Sequence, residues 1–211
     1  MPNYRVLITL LLISFLACLP AAGREAPEFT ISSSIHDTAK LEFQEHAGSG
    51  AFDSYLIQDL PYAPVKKLWK DIEAATGLTL KNRGEAHITV ITPVEYNQVL
   101  KKHISIKDIN RIAKDMLIQA ATFEVVCVGS GSKVISGKPE SAFFIVVKSP
   151  ALTEIRAAVQ KLFEENGGKP FSFDATRFYP HITVGFTKQD LHEADGVIKD
   201  ESSFYGLLTE N

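Results

Sequence analysis

Apolar positions along this chain switch between a strand-like and a helix-like period, and they do so in two similar rounds. Phe52 to Leu60 is rich in branched and aromatic residues, which predicts a strand ended by Pro61. Val65, Leu68, Trp69 and Ile72 then recur at i, i+3, i+4 and i+7, the stripe of an amphipathic helix over 65–75, with Gly77 as its C-cap. A basic, turn-forming approach, Lys81-Asn82-Arg83-Gly84, leads into an apolar β-branched run from Ile88 to Ile91. Pro93 stands at the start of a helix predicted over 94–103, and a further helix is predicted over 109–119. Strands over 122–128 and 141–148 follow, with Gly129-Ser130-Gly131-Ser132 and Gly137-Lys138-Pro139 as the connection between them.

The second round repeats the order. Pro150 stands where Pro61 stood, and Leu152, Ile155, Val159 and Leu162 mark a helix over 151–164 that Gly167-Gly168 stops. An approach containing Arg177, Phe178, Tyr179 and Pro180 enters a strand at 181, and a short helix is predicted near 189–193. Proline to strand start spans 26 residues in the first round (61 to 87) and 31 in the second (150 to 181). Two copies this far apart exclude a solenoid. They predict an internal duplication: an α+β fold of two lobes, roughly 51–120 and 121–211, facing each other across a pseudo-twofold.

Both rounds arrive at the same phrase, His87-Ile88-Thr89-Val90 and His181-Ile182-Thr183-Val184. Side chains alternate along a strand, so each copy presents an imidazole and a hydroxyl on one face and packs its aliphatic pair on the other. Two histidines brought into one cleft suit paired proton transfer, one as base and one as acid. Hydrolysis of a phosphodiester needs that pair, together with positioned donors for the charge on phosphorus oxygens. Thr89 and Thr183 are suited to donate. Identical motifs do not say which histidine plays which part.

Composition narrows the ligand. The chain has 211 residues, 45% hydrophobic and 22% charged, enough to bury a core and unlike a disordered chain. Residues 1–23 combine Arg5, an apolar run over 6–19 and the small residues Ala21-Ala22-Gly23, which predicts a cleaved signal peptide and a secreted or periplasmic protein. The apolar run is shorter than a membrane span, and lipid attachment at Cys18 fits less well because Phe15 and Leu16 precede it. Without residues 1–23 the chain carries 21 basic against 25 acidic residues. A grip on long nucleic acid calls for a basic excess, so a nucleic-acid end or a small phosphate is the expected partner. Residues 24–50 are polar and broken by Ser32-Ser33-Ser34 and Gly48-Ser49-Gly50, and are predicted to form a tether in which His36, Glu45 and His46 are solvated. Cys127 lies in an apolar run and is expected to be a small core side chain.

The two His-x-Thr phrases resemble the paired motifs of the 2H phosphoesterases, a family that includes 2′-5′ RNA ligase-like proteins and 2′,3′-cyclic nucleotide phosphodiesterases. The resemblance covers roughly Ala51 to Phe186. It implies a two-lobed fold with antiparallel sheets lining a cleft and helices outside, and metal-independent catalysis on cyclic nucleotides or RNA ends. It further implies His87 and His181 as the acid–base pair, Thr89 and Thr183 as phosphate-binding residues, and no cofactor. Arg83 and Arg177 each lie four residues before a motif histidine and are candidates for substrate contact, as is Tyr179. A zinc site at the two histidines lacks a third ligand at metal spacing. A monomer is expected. The competing function is a binding module that holds a nucleotide or RNA end in the same cleft without turning it over.

Overall fold

The computed structural model describes residues 25–211; the leader expected at 1–23 and Cys18 lie outside the described residues. Seven strands are β1 (Glu28–Ile31), β2 (Leu56–Asp59), β3 (His87–Ile91), β4 (Glu124–Ile135), β5 (Lys138–Lys148), β6 (His181–Phe186) and β7 (Phe204–Glu210). Four α-helices are α1 (Tyr62–Thr76), α2 (Pro93–Gln98), α3 (Ile106–Asp115) and α4 (Pro150–Glu165). The strands form one sheet in the order β1-β7-β4-β5-β6-β3-β2. Every pairing is antiparallel except β1 with β7. The fold is therefore α+β, with the two rounds joined edge to edge where β3 meets β6.

The sheet's two faces are built differently. Ile88, Val90, Ile182 and Val184 point to one face, with Phe143, Ile145 and Val147 of β5. There they pack with Val65, Leu68 and Ile72 of α1, Ile109 of α3, and Leu152, Ile155 and Val159 of α4 in a single core. All the long helices lie on this side, the arrangement expected when helices are segregated to one face of an antiparallel sheet. The opposite face carries Cys127, Ala142, Phe144 and Val146, covered by Leu191 and Val197. A strap over residues 187–203 thus crosses this second face.

Helix starts follow from local chemistry. Thr92 caps α2 in a reciprocal box with Glu95 behind Pro93, and Ser149 caps α4 ahead of Pro150. One buried cation ties these starts together. Arg156 of α4 is 1% exposed. Its guanidinium donates to Val90 O at the end of β3 (2.7 Å), to Glu95 Oε1 (2.8 Å), and to Ala175 O and Asp174 O (both 3.0 Å). Phe173 and Phe178 lie over its plane, each 4.8 Å from Cζ.

Three expectations are corrected. Residues 28–40 are not a tether: Phe29, Ile31 and Ile35 are buried, β1 forms the sheet's edge beside β7, and 33–40 make a 3₁₀ segment. The alternation of exposed and buried residues in Glu28-Phe29-Thr30-Ile31 is that of a half-buried strand, too short to stand out among polar neighbours. His36 reaches Glu210 (3.0 Å) and His46 stacks on Tyr55 at 4.2 Å, so both are engaged, while Glu45 is exposed as expected and pairs with Lys114 at the surface. Gly129-Ser130-Gly131-Ser132 is not a connection but the middle of β4. A Cβ at Gly129 would lie 2.4 Å from Phe144 and one at Gly131 2.3 Å from Val197, so these glycines serve close packing. The turn falls at Ser136-Gly137, where both residues adopt positive φ.

Replacing Arg156 by Met leaves Glu95 Oε1 and four carbonyls without this donor. R156M is expected to lose about 3–5 kcal/mol of stability, read as a lower urea midpoint with an unchanged slope.

Candidate active site

The pairing of β3 with β6 fixes the geometry of the two motifs. Ile88 lies opposite Ile182 in an antiparallel register, which sets His87 opposite Thr183 and Thr89 opposite His181. Because Ile88 and Ile182 face the core, the two imidazoles and two hydroxyls share the other face. All four are partly accessible, whereas the aliphatic residues between them are buried. A strand slip of one residue would bury the histidines and expose the isoleucines, so the core holds this face in register.

The two histidines have opposite surroundings. His181 Nδ1 lies 2.8 Å from Tyr179 O, and since a carbonyl only accepts, Nδ1 carries the proton. Nε2 lies 3.2 Å from Lys199 Nζ, and since an ammonium only donates, Nε2 presents its lone pair. Both contacts describe a neutral ring. Burial first and the Lys199 charge second push its pKa down to about 3, against the Tyr179 carbonyl and Asp190. The edge of the Phe144 ring walls the same side, 6.0 Å away.

His87 sits among acids. Its Nδ1 is 3.4 Å from Glu85 Oε1, close enough for an ion pair without forming a hydrogen bond. The contact with His87 holds the Glu85 carboxyl below the usual range. Asp59 of β2 lies directly opposite His87 in the register, its own carboxyl pushed up by burial and drawn back by His46 and His87.

Three residues that the sequence did not single out complete the face. Asp190 Oδ2 accepts from Thr183 Oγ1 (3.0 Å), and Oδ1 accepts from Lys199 Nζ (2.8 Å). Burial opposes ionisation of Asp190, yet the Lys199 charge and hydrogen bond prevail and hold its carboxyl below the usual range. Burial likewise pushes the Lys199 ammonium down, against Asp190. Glu85 is the third. Lys199 follows Val197 at strand-like spacing, on the side that Val197 buries, which is the one trace it leaves in the sequence.

The flanking candidates separate. Arg83 Nη2 stands 3.6 Å from Asp190 Oδ2 at the border of the site. Arg177 occupies no equivalent place: its side chain is 68% exposed and pairs with Glu193 at 3.2 Å, while its carbonyl accepts from Arg156. Tyr179 orients His181 through its main-chain oxygen and lines a cavity of about 660 Å³ with Phe178, Ser149, Thr153, Lys199 and Ser202. That cavity borders the His/Thr face without containing any of its four residues. Trp69 packs against the core, and Cys127 is buried with its thiol pushed up by burial. Among the described residues no three His, Cys, Asp or Glu side chains form a cluster that could hold a metal ion, and no helix is long and apolar enough to cross a membrane.

A family model described as the Swiss Army Knife 2H phosphoesterase domain matches residues 54–192, about two thirds of the chain. No curated protein and no solved structure matches.

His181 is neutral in the fold and takes up a proton on unfolding near its ordinary value of about 6.5. The unfolded state therefore binds more protons between about 6.5 and the folded value of about 3, and stability must fall as pH falls through that window. In H181N the slope of stability against pH should be shallower between pH 6 and 4, measured by urea unfolding; an unchanged slope would contradict the neutral ring.

Proposed function

The chain belongs to the 2H phosphoesterase family, and on that premise we propose that it hydrolyses 2′,3′-cyclic phosphates or related phosphodiesters at RNA ends and in cyclic nucleotides. Phosphodiesterase chemistry is what the family generally performs. The observation that carries the finer reading is the β3–β6 register, which sets two imidazoles and two hydroxyls side by side on one face.

The unequal surroundings divide the labour. His181, neutral with its lone pair on Nε2, takes the proton from the attacking water as its oxygen bonds to phosphorus. The bond from phosphorus to the leaving ribose oxygen breaks, and that oxygen receives a proton from His87, beside which Glu85 and Asp59 stand. Solvent returns the proton from His181 to His87 for the next turnover. Thr89 meets the charge on the non-bridging oxygens; Thr183 joins it when its single hydroxyl proton turns from Asp190, to which it donates in the free site. None of these steps uses a metal or cofactor. The net acidity of the chain suits a small cyclic nucleotide or an RNA terminus better than a long strand. The leader-like residues 1–23 support action outside the cytoplasm.

H87A and H181A are each expected to lower kcat on a 2′,3′-cyclic nucleotide by about 10²–10⁴-fold, with EDTA leaving the parent activity intact. A phosphodiester with a p-nitrophenol leaving group needs no protonation on departure. It should restore turnover to H87A and not to H181A. The reverse pattern would exchange the two roles, and full activity in either variant on the cyclic substrate would sink the assignment.

A further inference from the structure

Lys199 lies seven residues beyond the stretch that the family model matches, on the strap that crosses the second face. It is 3% exposed. A buried lysine costs desolvation that its ion pair with Asp190 offsets only in part, and an apolar pair would fill the same space at least as well. Its second contact falls on His181 Nε2, the one nitrogen that a general base must have free. Among the described residues, the Lys199 ammonium hydrogen-bonds to Asp190 and His181 alone, although it has three protons to give. Its ammonium also faces the Phe144 ring, 5.3 Å from the centroid, and Lys199 is one of the residues lining the 660 Å³ cavity beside Tyr179, with Asp200 and Glu201.

We propose that Lys199 is an anion-responsive cap on His181: in the empty site its ammonium occupies the Nε2 lone pair, and a phosphate group entering beside it draws the ammonium away and frees the base. The proposal rests on reading His181 as the proton acceptor. A charged oxygen is a stronger acceptor for an ammonium than a neutral imidazole nitrogen, so the exchange runs toward the phosphate. The lysine stem is flexible enough to turn, and the hydrogen bond to Asp190 gives it a pivot. The same movement leaves the cation against the phosphate oxygens. Lys199 is then a positioning residue for His181 before substrate enters and a phosphate contact afterwards.

The groups around His181 allow few alternatives. Thr89 faces it from β3, with His87 diagonally beyond. From β5 come Val146 and Phe144, with Lys148 farther along that strand held by Glu201. The strap supplies Asp190, His192 and Lys199, and Arg83 stands behind Asp190. Of these, Lys199 is the group that donates to Nε2.

Imidazole proton resonances of the full chain, followed across pH by NMR, test the cap without relying on turnover; the His181 signal is identified by its loss in H181N. Without added anion, His181 of the wild type is expected to stay neutral from about pH 8 to pH 5. Saturating inorganic phosphate should raise its midpoint by about one pH unit or more. In K199M the midpoint should already be raised without phosphate, and phosphate should move it little. The double variant D190N/K199M leaves no buried unpaired carboxylate and should behave like K199M if the single variant folds poorly. The cap is overturned if His181 titrates alike in wild type and both variants, or if phosphate shifts wild type and K199M equally. Lack of turnover on every cyclic phosphate would overturn the catalytic reading and leave this titration result standing.

Discussion

A single buried guanidinium joins the two rounds of this fold. Arg156 belongs to α4, in the second round, yet it bonds the last residues of β3 and the capping Glu95 of α2, in the first. It also collects the carbonyls of residues 174, 175 and 177, the stretch that leads into β6. Both histidine strands are thus referenced to one planar group. Five N–H donors in a fixed fork can satisfy so many acceptors at once, where the compact ammonium of a lysine could not. The β3–β6 pairing sets the two motifs side by side, and this side chain ties the end of β3 to the segment that leads into β6.

The identical motifs acquire different characters from what lies beside them. Edge strand β2 brings Asp59 against His87, and the approach to β3 brings Glu85. On the other side the strap brings Lys199 against His181. The two strands carry the same four residues, and unequal edges make them chemically distinct. Environments that push two titratable groups apart are how a site assigns acid and base when the side chains are the same.

Much of this was legible in the sequence because it is periodic and local. The stripes of α1 and α4, the prolines at helix starts and the alternation in His-Ile-Thr-Val all act within a few residues, and they led to the four side chains that share one face. What escaped depends on distant partners. Phe29 and Ile31 look like stray apolar residues in a polar segment until β7 lies beside them. Gly129 and Gly131 look like a turn until Phe144 and Val197 occupy the space over them. Arg156 and Lys199 carry no local signal, because a buried cation shows itself only through acceptors far along the chain. Arg83 and Arg177 matched in spacing but not in place, since the strap covers the two rounds unequally.

The parallel ladder of β1 and β7 joins Glu28 to Leu207 and Ile31 to Glu210, while β7 also closes the open side of β4. Pairings of such sequence separation carry the largest loop-closure cost and form late. Wherever β7 is not paired, the β4 side of the β4–β5 hairpin is an open sheet edge. The strap that places Lys199 against His181 immediately precedes β7. A change that frees β7 from β4 therefore loosens the strap as well, and with it the contact between Lys199 and His181.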